Sequence, residues 1–343
     1  MSILFICKKR IDYGCNQSGV AYGLGNSAQF IVNYLNKQHI EAKLVFADDA
    51  NSIDRLVTEF NPEYVIIEAI WVTAKKFQEL LAIPRHQNRV WIVRLHSRLS
   101  FLANEGIAIK WLMEYKETVM QDYDFWISPN TYELACDLHD LGMRCVYLPN
   151  IYSPMEGFDN PNKKFNRILD VGCFGAVRPM KNNLAQAMAA IKFADDLNMH
   201  MRFHINSSRT EQNGDAVLKN IRALFSDSSH ELVEHSWQKH HDFLNLVRQM
   251  DIGMQVSFSE TFNIVASDFV HCNVPIVVSQ QIDWMPFWTK VKDPNSTEEI
   301  RDKLHFVMAT SWLGLHRLNK QWLDYSNSNA GREWLQFLNT SNV

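Results

Sequence analysis

The feature that most constrains this chain is a regular exchange of short β-rich runs with segments of helical spacing, carried through twice. Residues 3–8, 42–46, 64–68, 90–95, 125–128 and 145–147 read as strands. Between them, residues 26–37, 53–60, 74–81, 107–120 and 132–141 place apolar side chains three and four apart. Phe30, Ile31, Tyr34 and Leu35 are the clearest case, with Gly23 and Gly25 just ahead of them. Strands that alternate with helices predict a parallel sheet covered on both faces.

The pattern stops near Leu148-Pro149-Asn150-Ile151-Tyr152-Ser153-Pro154, and the residues up to 166 are rich in Asn, Pro, Gly and Lys. It then resumes, with strands expected at 168–174, 201–206, 252–256 and 275–279 and helices at 184–197, 215–225, 242–249 and 263–270. From residue 297 only helical spacing remains. A length of 343 residues holds two domains of roughly 150 each. The expected organisation is an N-terminal domain over 1–150, a linker over 151–166, a second domain over 167–296 and C-terminal helices over 297–343. The fold class is α/β: two doubly wound, Rossmann-like domains facing a cleft. Ligands of such sheets bind beyond the carboxyl ends of the strands, so strand-end residues carry the chemistry.

Composition narrows the function. With 46% hydrophobic and 21% charged residues the chain is globular, and a net charge of −4 lacks the positive field that grips nucleic acid by charge alone. The opening apolar run is too short for a signal peptide and is followed by Lys8-Lys9-Arg10, so a cytoplasmic location is expected. No apolar stretch reaches the ~18 residues of a membrane span; residues 101–120 carry Glu105, Lys110, Glu114 and Lys116. The six cysteines form no Cys-x-x-Cys pair and are expected to be reduced and packed. Asp122-Tyr123-Asp124 precedes a strand and reads as capping carboxylates, and His235, His240 and His241 read as surface, so no metal is expected. Gly19, Gly23 and Gly25 do not fit Gly-x-Gly-x-x-Gly.

The most specific stretch runs Ser257-Phe258-Ser259-Glu260-Thr261-Phe262-Asn263-Ile264, continues through Asp268, and ends in Asn273-Val274-Pro275-Ile276. A carboxylate at a strand end accepts hydroxyl protons, while the following helix N-terminus donates amides to sugar or phosphate oxygens. Asp268 falls about two turns later on nearly the same helix face. Read without any further pattern, Glu260 caps its own helix and Asp268 is solvated.

This stretch resembles the nucleotide-sugar site of GT-B glycosyltransferases, in particular the retaining enzymes of family 4. Their pattern has two acidic residues eight positions apart, a Phe-Gly between them and a Gly-x-Pro strand. Here Asn263 stands for the first Gly, Asp268 for the second Glu and Asn273 for the last Gly. The resemblance implies that Glu260 orients the donor sugar and Asp268 the ribose, with Thr261, Phe262 and Asn263 lining the donor. Val171-Gly172-Cys173-Phe174-Gly175-Ala176-Val177-Arg178-Pro179-Met180-Lys181 is similar to the family's diphosphate loop. Lys181 holds the family's Lys position and Ala176 stands where Arg is usual; Arg178 is the substitute cation. Both are solvated loop cations on a reading without the resemblance.

In the first half, Ile127-Ser128-Pro129-Asn130 and Leu148-Pro149-Asn150 match the close of the family's first domain, and Gly19 falls in its glycine-bearing loop. His96 ends a strand where family members carry a His near the donor sugar; otherwise it is a packed histidine. Lys9, Arg10, Arg94 and Arg98 are placed on the acceptor side, where they would suit an anionic acceptor such as a DNA base, as in enzymes of large bacteriophages, or a polysaccharide. The resemblance implies transfer from a nucleotide sugar with retention, without cofactor or metal, the leaving phosphate taking the acceptor proton. An inverting enzyme would need a base, for which Asp12, Glu68 and Glu105 are candidates. The competing reading is a catalytically inactive nucleotide- or sugar-binding module of the same fold.

Overall fold

The computed structural model describes residues 1–9, 23–159 and 167–340. Arg10, Asp12 and Gly19, named above, lie outside the described residues, as does Cys15. The chain forms two compact units: Met1–Ser153 with Asn327–Val343, and Pro154–Ser326.

The first unit runs β1 (Ser2–Lys8), α1 (Leu24–Lys37), β2 (Glu41–Ala47), α2 (Ser52–Phe60), β3 (Tyr64–Glu68), α3 (Ala74–Leu81), β4 (Val90–Leu95), α4 (Leu99–Leu102), α5 (Ala108–Thr118), β5 (Phe125–Pro129) and α6 (Tyr132–Asp140). Its five strands are parallel in the order β2-β1-β3-β4-β5. A continuous apolar run marks a strand covered on both faces, and Ile3, Leu4, Phe5, Ile6 and Cys7 of β1 are all buried between β2 and β3. Helix α3 starts where the Thr73 hydroxyl accepts from the Lys76 amide at 3.2 Å.

The second unit runs β6 (Ile168–Gly172), α7 (Asn183–Asp196), β7 (His200–Asn206), α8 (Gly214–Ser226), β8 (Glu231–His235), α9 (His240–Val247), β9 (Ile252–Gln255), α10 (Ile264–His271), β10 (Ile276–Ser279), β11 (Lys290–Val291) and α11 (Thr297–Ser311). The sheet is parallel, in the order β11-β10-β9-β6-β7-β8. The direction of winding reverses between β6 and β9, and a doubly wound sheet opens its ligand crevice at such a reversal. In the first unit the reversal lies between β1 and β3.

Three expectations are corrected. Residues 145–147 make no strand; Cys145 forms only an isolated bridge to Ile127. Glu231–His235 was not expected as a strand, because its alternating polar side chains suit an edge that is only half buried. The C-terminal helices do not stand apart: α11 packs in the core of the second unit through Ile300, Leu304 and Val307. The last helix, α12 (Asn319–Thr340), ends in the first unit. There Trp334 sits 5.8 Å from the Phe5 ring and donates to the Pro149 carbonyl at 2.8 Å. Asn327 bonds both the amide and the carbonyl of Tyr152. Among the described cysteines, Cys7, Cys173 and Cys272 are buried, Cys136 and Cys145 half-buried, and all five are free thiols.

Candidate functional site

The loop after β6 and the loop after β9 leave the carboxyl ends of the two strands that flank the reversal. They are tied together by backbone: the Phe258 amide donates to the Met180 carbonyl at 2.9 Å. Buried amide side chains support that tie. Gln186 donates to the Lys181 carbonyl and accepts from the Val256 amide, each at 2.8 Å. Asn182 donates to the carbonyls of Val256 and Pro294. Gln255 donates to the Phe174 carbonyl at 2.8 Å and accepts from Asn263 at 2.9 Å. The loop ends of both strands thereby find partners for buried polar groups that would otherwise be costly. The sequence marked none of Gln186, Asn182 and Gln255, since only their partners, remote in sequence, distinguish them from ordinary polar residues.

This frame brings Lys181 and Glu260 into contact, Lys181 Nζ donating to Glu260 Oε1. Their side chains are 13% and 8% exposed, so neither is the solvated or merely capping residue of the plainer reading. Gly175 lies beside Lys181, with φ of 116°, a conformation that disfavours other residues; its amide donates to Asn206 Oδ1 at 3.0 Å. Arg178 faces Glu211, Nη1 to Oε2 at 3.1 Å. Glu211 also pairs with Arg209, whose guanidinium lies 5.0 Å from the centre of the Trp237 ring.

The cap of α10 is Asn263. It has φ of 62°, and its Oδ1 accepts from the Ala266 amide at 2.9 Å. Asn273 likewise has φ of 53°. Asparagine tolerates the left-handed region better than other side chains, so both departures from glycine preserve the backbone. Phe262 is buried, and its carbonyl accepts from Trp284 Nε1 at 2.7 Å. Thr261 is half-buried beside it.

Asp268 is not solvated. Its side chain is 2% exposed and accepts from His240 Nε2 at 2.7 Å. Burial would lower the His240 pKa, but the hydrogen bond and charge of Asp268 outweigh it and hold the imidazole above its ordinary value. His240 and His235 therefore are not the surface residues expected from sequence. His235 lies 2.9 Å from His204, Nε2 to Nδ1, and burial followed by that neighbour brings its pKa down to about 4. Of His235, His240 and His241, His241 alone is exposed.

In the first unit, Arg94 and Glu68 are not on an acceptor-facing rim. Arg94 is fully buried, with Nη1 2.9 Å from Glu68 Oε1 and Nη2 2.7 Å from Asn150 Oδ1, and it lies over the Trp334 ring at 5.3 Å. Glu68 also meets His96 Nε2. Desolvation would raise the Glu68 pKa, yet Arg94 and His96 bring it below the ordinary carboxylate value. His96 is lowered by its own burial. Lys9 pairs with Asp48 at 3.1 Å, Arg98 lies 3.7 Å from Glu133, and Glu105 is exposed between α4 and α5. Asp124 accepts from Trp126 Nε1 at 2.7 Å. Among the described residues no cluster of three or more His, Cys, Asp or Glu is arranged to hold a metal ion.

No protein-family model matches the sequence, and no curated protein does. Solved structures do match along the whole chain. One, described as trehalose-6-phosphate from E. coli bound with UDP-2-fluoro glucose, is 12% identical, with 99% of this chain and 98% of that one covered at a TM-score of 0.67. HepE from Anabaena in complex with UDP is 12% identical over 100% of both chains, with a TM-score of 0.62. Sucrose-phosphate synthase from Thermosynechococcus elongatus is 11% identical over 99% of both, with a TM-score of 0.67. These neighbours share the GT-B fold. Two parallel α/β units with these strand orders, together with a likeness that spans the chain, identify its fold as GT-B.

Proposed function

We propose that the chain is a glycosyltransferase that moves a sugar from a nucleotide-sugar donor to an acceptor hydroxyl or base, with retention of configuration and without a metal ion. The observation that carries this reading is the Lys181–Glu260 contact at the β6/β9 reversal. As the glycosidic bond breaks, charge gathers on the leaving diphosphate, and a fixed ammonium stabilises it more than it does the ground state. Lys181 takes that role. Glu260 accepts protons from donor sugar hydroxyls and holds the ring, and the amides opening α10 face the same end of the sheet. Arg178 contributes through the ion pair with Glu211 that shapes the loop. The departing phosphate oxygen takes the acceptor proton, so no separate base is assigned.

The neighbours solved with UDP or a UDP sugar make uridine donors the first to test. Incubation with UDP-glucose and related nucleotide sugars is expected to release nucleoside diphosphate slowly, and faster when DNA or a polysaccharide is the true acceptor. Glu260→Ala should abolish release while the thermal shift caused by UDP persists. A binding module without chemistry would show the shift in both proteins and release in neither.

A further inference from the structure

Gln255 closes β9, a fully buried strand whose neighbouring residues Met254 and Val256 belong to the core of the second unit. Successive side chains of a strand alternate between faces, so Gln255 shares the side of Gly253, which faces Phe269 of α10. A primary amide buried there must be hydrogen-bonded. The bonds follow one another in a single direction. The Ala266 amide donates to Asn263 Oδ1 at 2.9 Å, which turns Asn263 Nδ2 towards Gln255; Asn263 then donates to Gln255 Oε1 at 2.9 Å, and Gln255 Nε2 donates to the Phe174 carbonyl at 2.8 Å. Bonds aligned in this way polarise and strengthen one another. The next peptide group is held as well, since the Gly175 amide donates to Asn206 Oδ1. Phe174 opens the loop that carries Lys181, and Asn263 closes the loop that carries Glu260. Asn263 and Gln255 are therefore a matched pair: a glycine at 263, the residue of the resembled family, has no side-chain amide to give Gln255.

We propose that Gln255 is a positioning residue for sugar transfer: with Asn263 it locks the Lys181 loop to the Glu260 loop, so that the ammonium and the carboxylate keep one mutual position while the glycosidic bond breaks. This rests on the glycosyltransferase reading above. Gln255 acts through the two loops and touches neither charged group. A misplacement of 1 Å caused by a change away from the reacting atoms costs about 100-fold in rate. Loosening the lock is expected to lower kcat by about ten- to 100-fold and to shift KM much less, because the groups that bind the donor are still present.

The test uses the full chain and initial rates of nucleoside diphosphate release from UDP-glucose, GDP-glucose and ADP-glucose, at a temperature where unfolding curves show each variant folded. Gln255→Met fills a similar volume but makes neither bond, and is expected to show the fall in kcat. In a Lys181→Ala background the same substitution should cost far less, because one of the two groups it positions is gone. Gln255→Glu keeps an acceptor for Asn263 and has a proton for the Phe174 carbonyl only when its acid is neutral. Burial beside that carbonyl favours the neutral form and raises the pKa, so kcat relative to wild type should recover as pH falls. Should Gln255→Met not fold, the pH profile of Gln255→Glu decides. A Gln255→Met protein that loses stability but keeps the wild-type kcat, or a Gln255→Glu protein whose kcat ratio to wild type does not change with pH, overturns this inference alone. A wild type that releases no nucleoside diphosphate from any of the three donors overturns it together with the proposed function.

Discussion

Lys181 and Glu260, 79 residues apart in sequence, meet because the loops after β6 and β9 leave neighbouring strands at the point where the sheet reverses its winding. Both side chains are largely withdrawn from water. If they serve one donor, substituting either one should cost turnover steeply. Removing a single preorganised electrostatic group typically lowers kcat by about 100- to 1,000-fold. Lys181→Ala is expected to fall in that range, with Glu260→Gln milder than Glu260→Ala. Initial rates of nucleoside diphosphate release measure it, and the double variant should lose far less than the product of the two single losses.

Backbone conformation gives the second test. Asn263 and Asn273 have positive φ, and Asn263 also caps α10. Alanine in the left-handed region costs about 1–2 kcal/mol, and loss of a cap about 1 kcal/mol more. Asn263→Ala should thus destabilise the second unit more than Asn273→Ala does. Asn263→Gly should lie between wild type and Asn263→Ala, as equilibrium urea unfolding would show.

Arg94 is buried against Glu68, Asn150 and Trp334. Removing one partner of a buried pair strands the other and typically costs about 3–5 kcal/mol. Arg94→Leu is expected to lose that much, and the double variant Arg94→Leu with Glu68→Leu to recover a good part of it. If the single variant loses less than 1 kcal/mol in chemical unfolding, the pair is not the core element described.

Two histidines give stability opposite pH slopes. His240 binds its proton more tightly folded than unfolded, so its contribution is complete below the ordinary imidazole pKa of 6.5 and disappears as pH rises through the elevated folded value. His235 is brought down to about 4, so folding is penalised progressively as pH falls from 6.5 towards 4. His240→Gln should flatten the alkaline side of the stability profile and His235→Phe the acid side, with unfolding midpoints recorded from pH 4 to pH 9.

Packing sets a steric test. A Cβ built on Gly253 of β9 would come within 2.6 Å of the Phe269 ring, which belongs to α10. Gly253→Ala is expected to displace α10 and, with it, the Asn263 cap. Destabilisation of about 1–3 kcal/mol for such overpacking and weaker UDP binding should appear together.

The sequence by itself determined that two parallel α/β units follow one another, because the side-chain period of a strand or helix is a local property written into ten or so consecutive residues. It also placed Glu260, Asn263, Lys181 and Gly175 at strand ends, where a doubly wound sheet receives ligands. What it did not carry is which strands are neighbours, and only that order sets Lys181 on Glu260 and Asp268 beneath His240. For the same reason Arg94 reads as an acceptor-side cation and His240 as a surface residue, although Arg94 is buried and His240 half-buried. A charged side chain is buried when a partner far along the chain meets it, and that meeting is decided by tertiary structure alone.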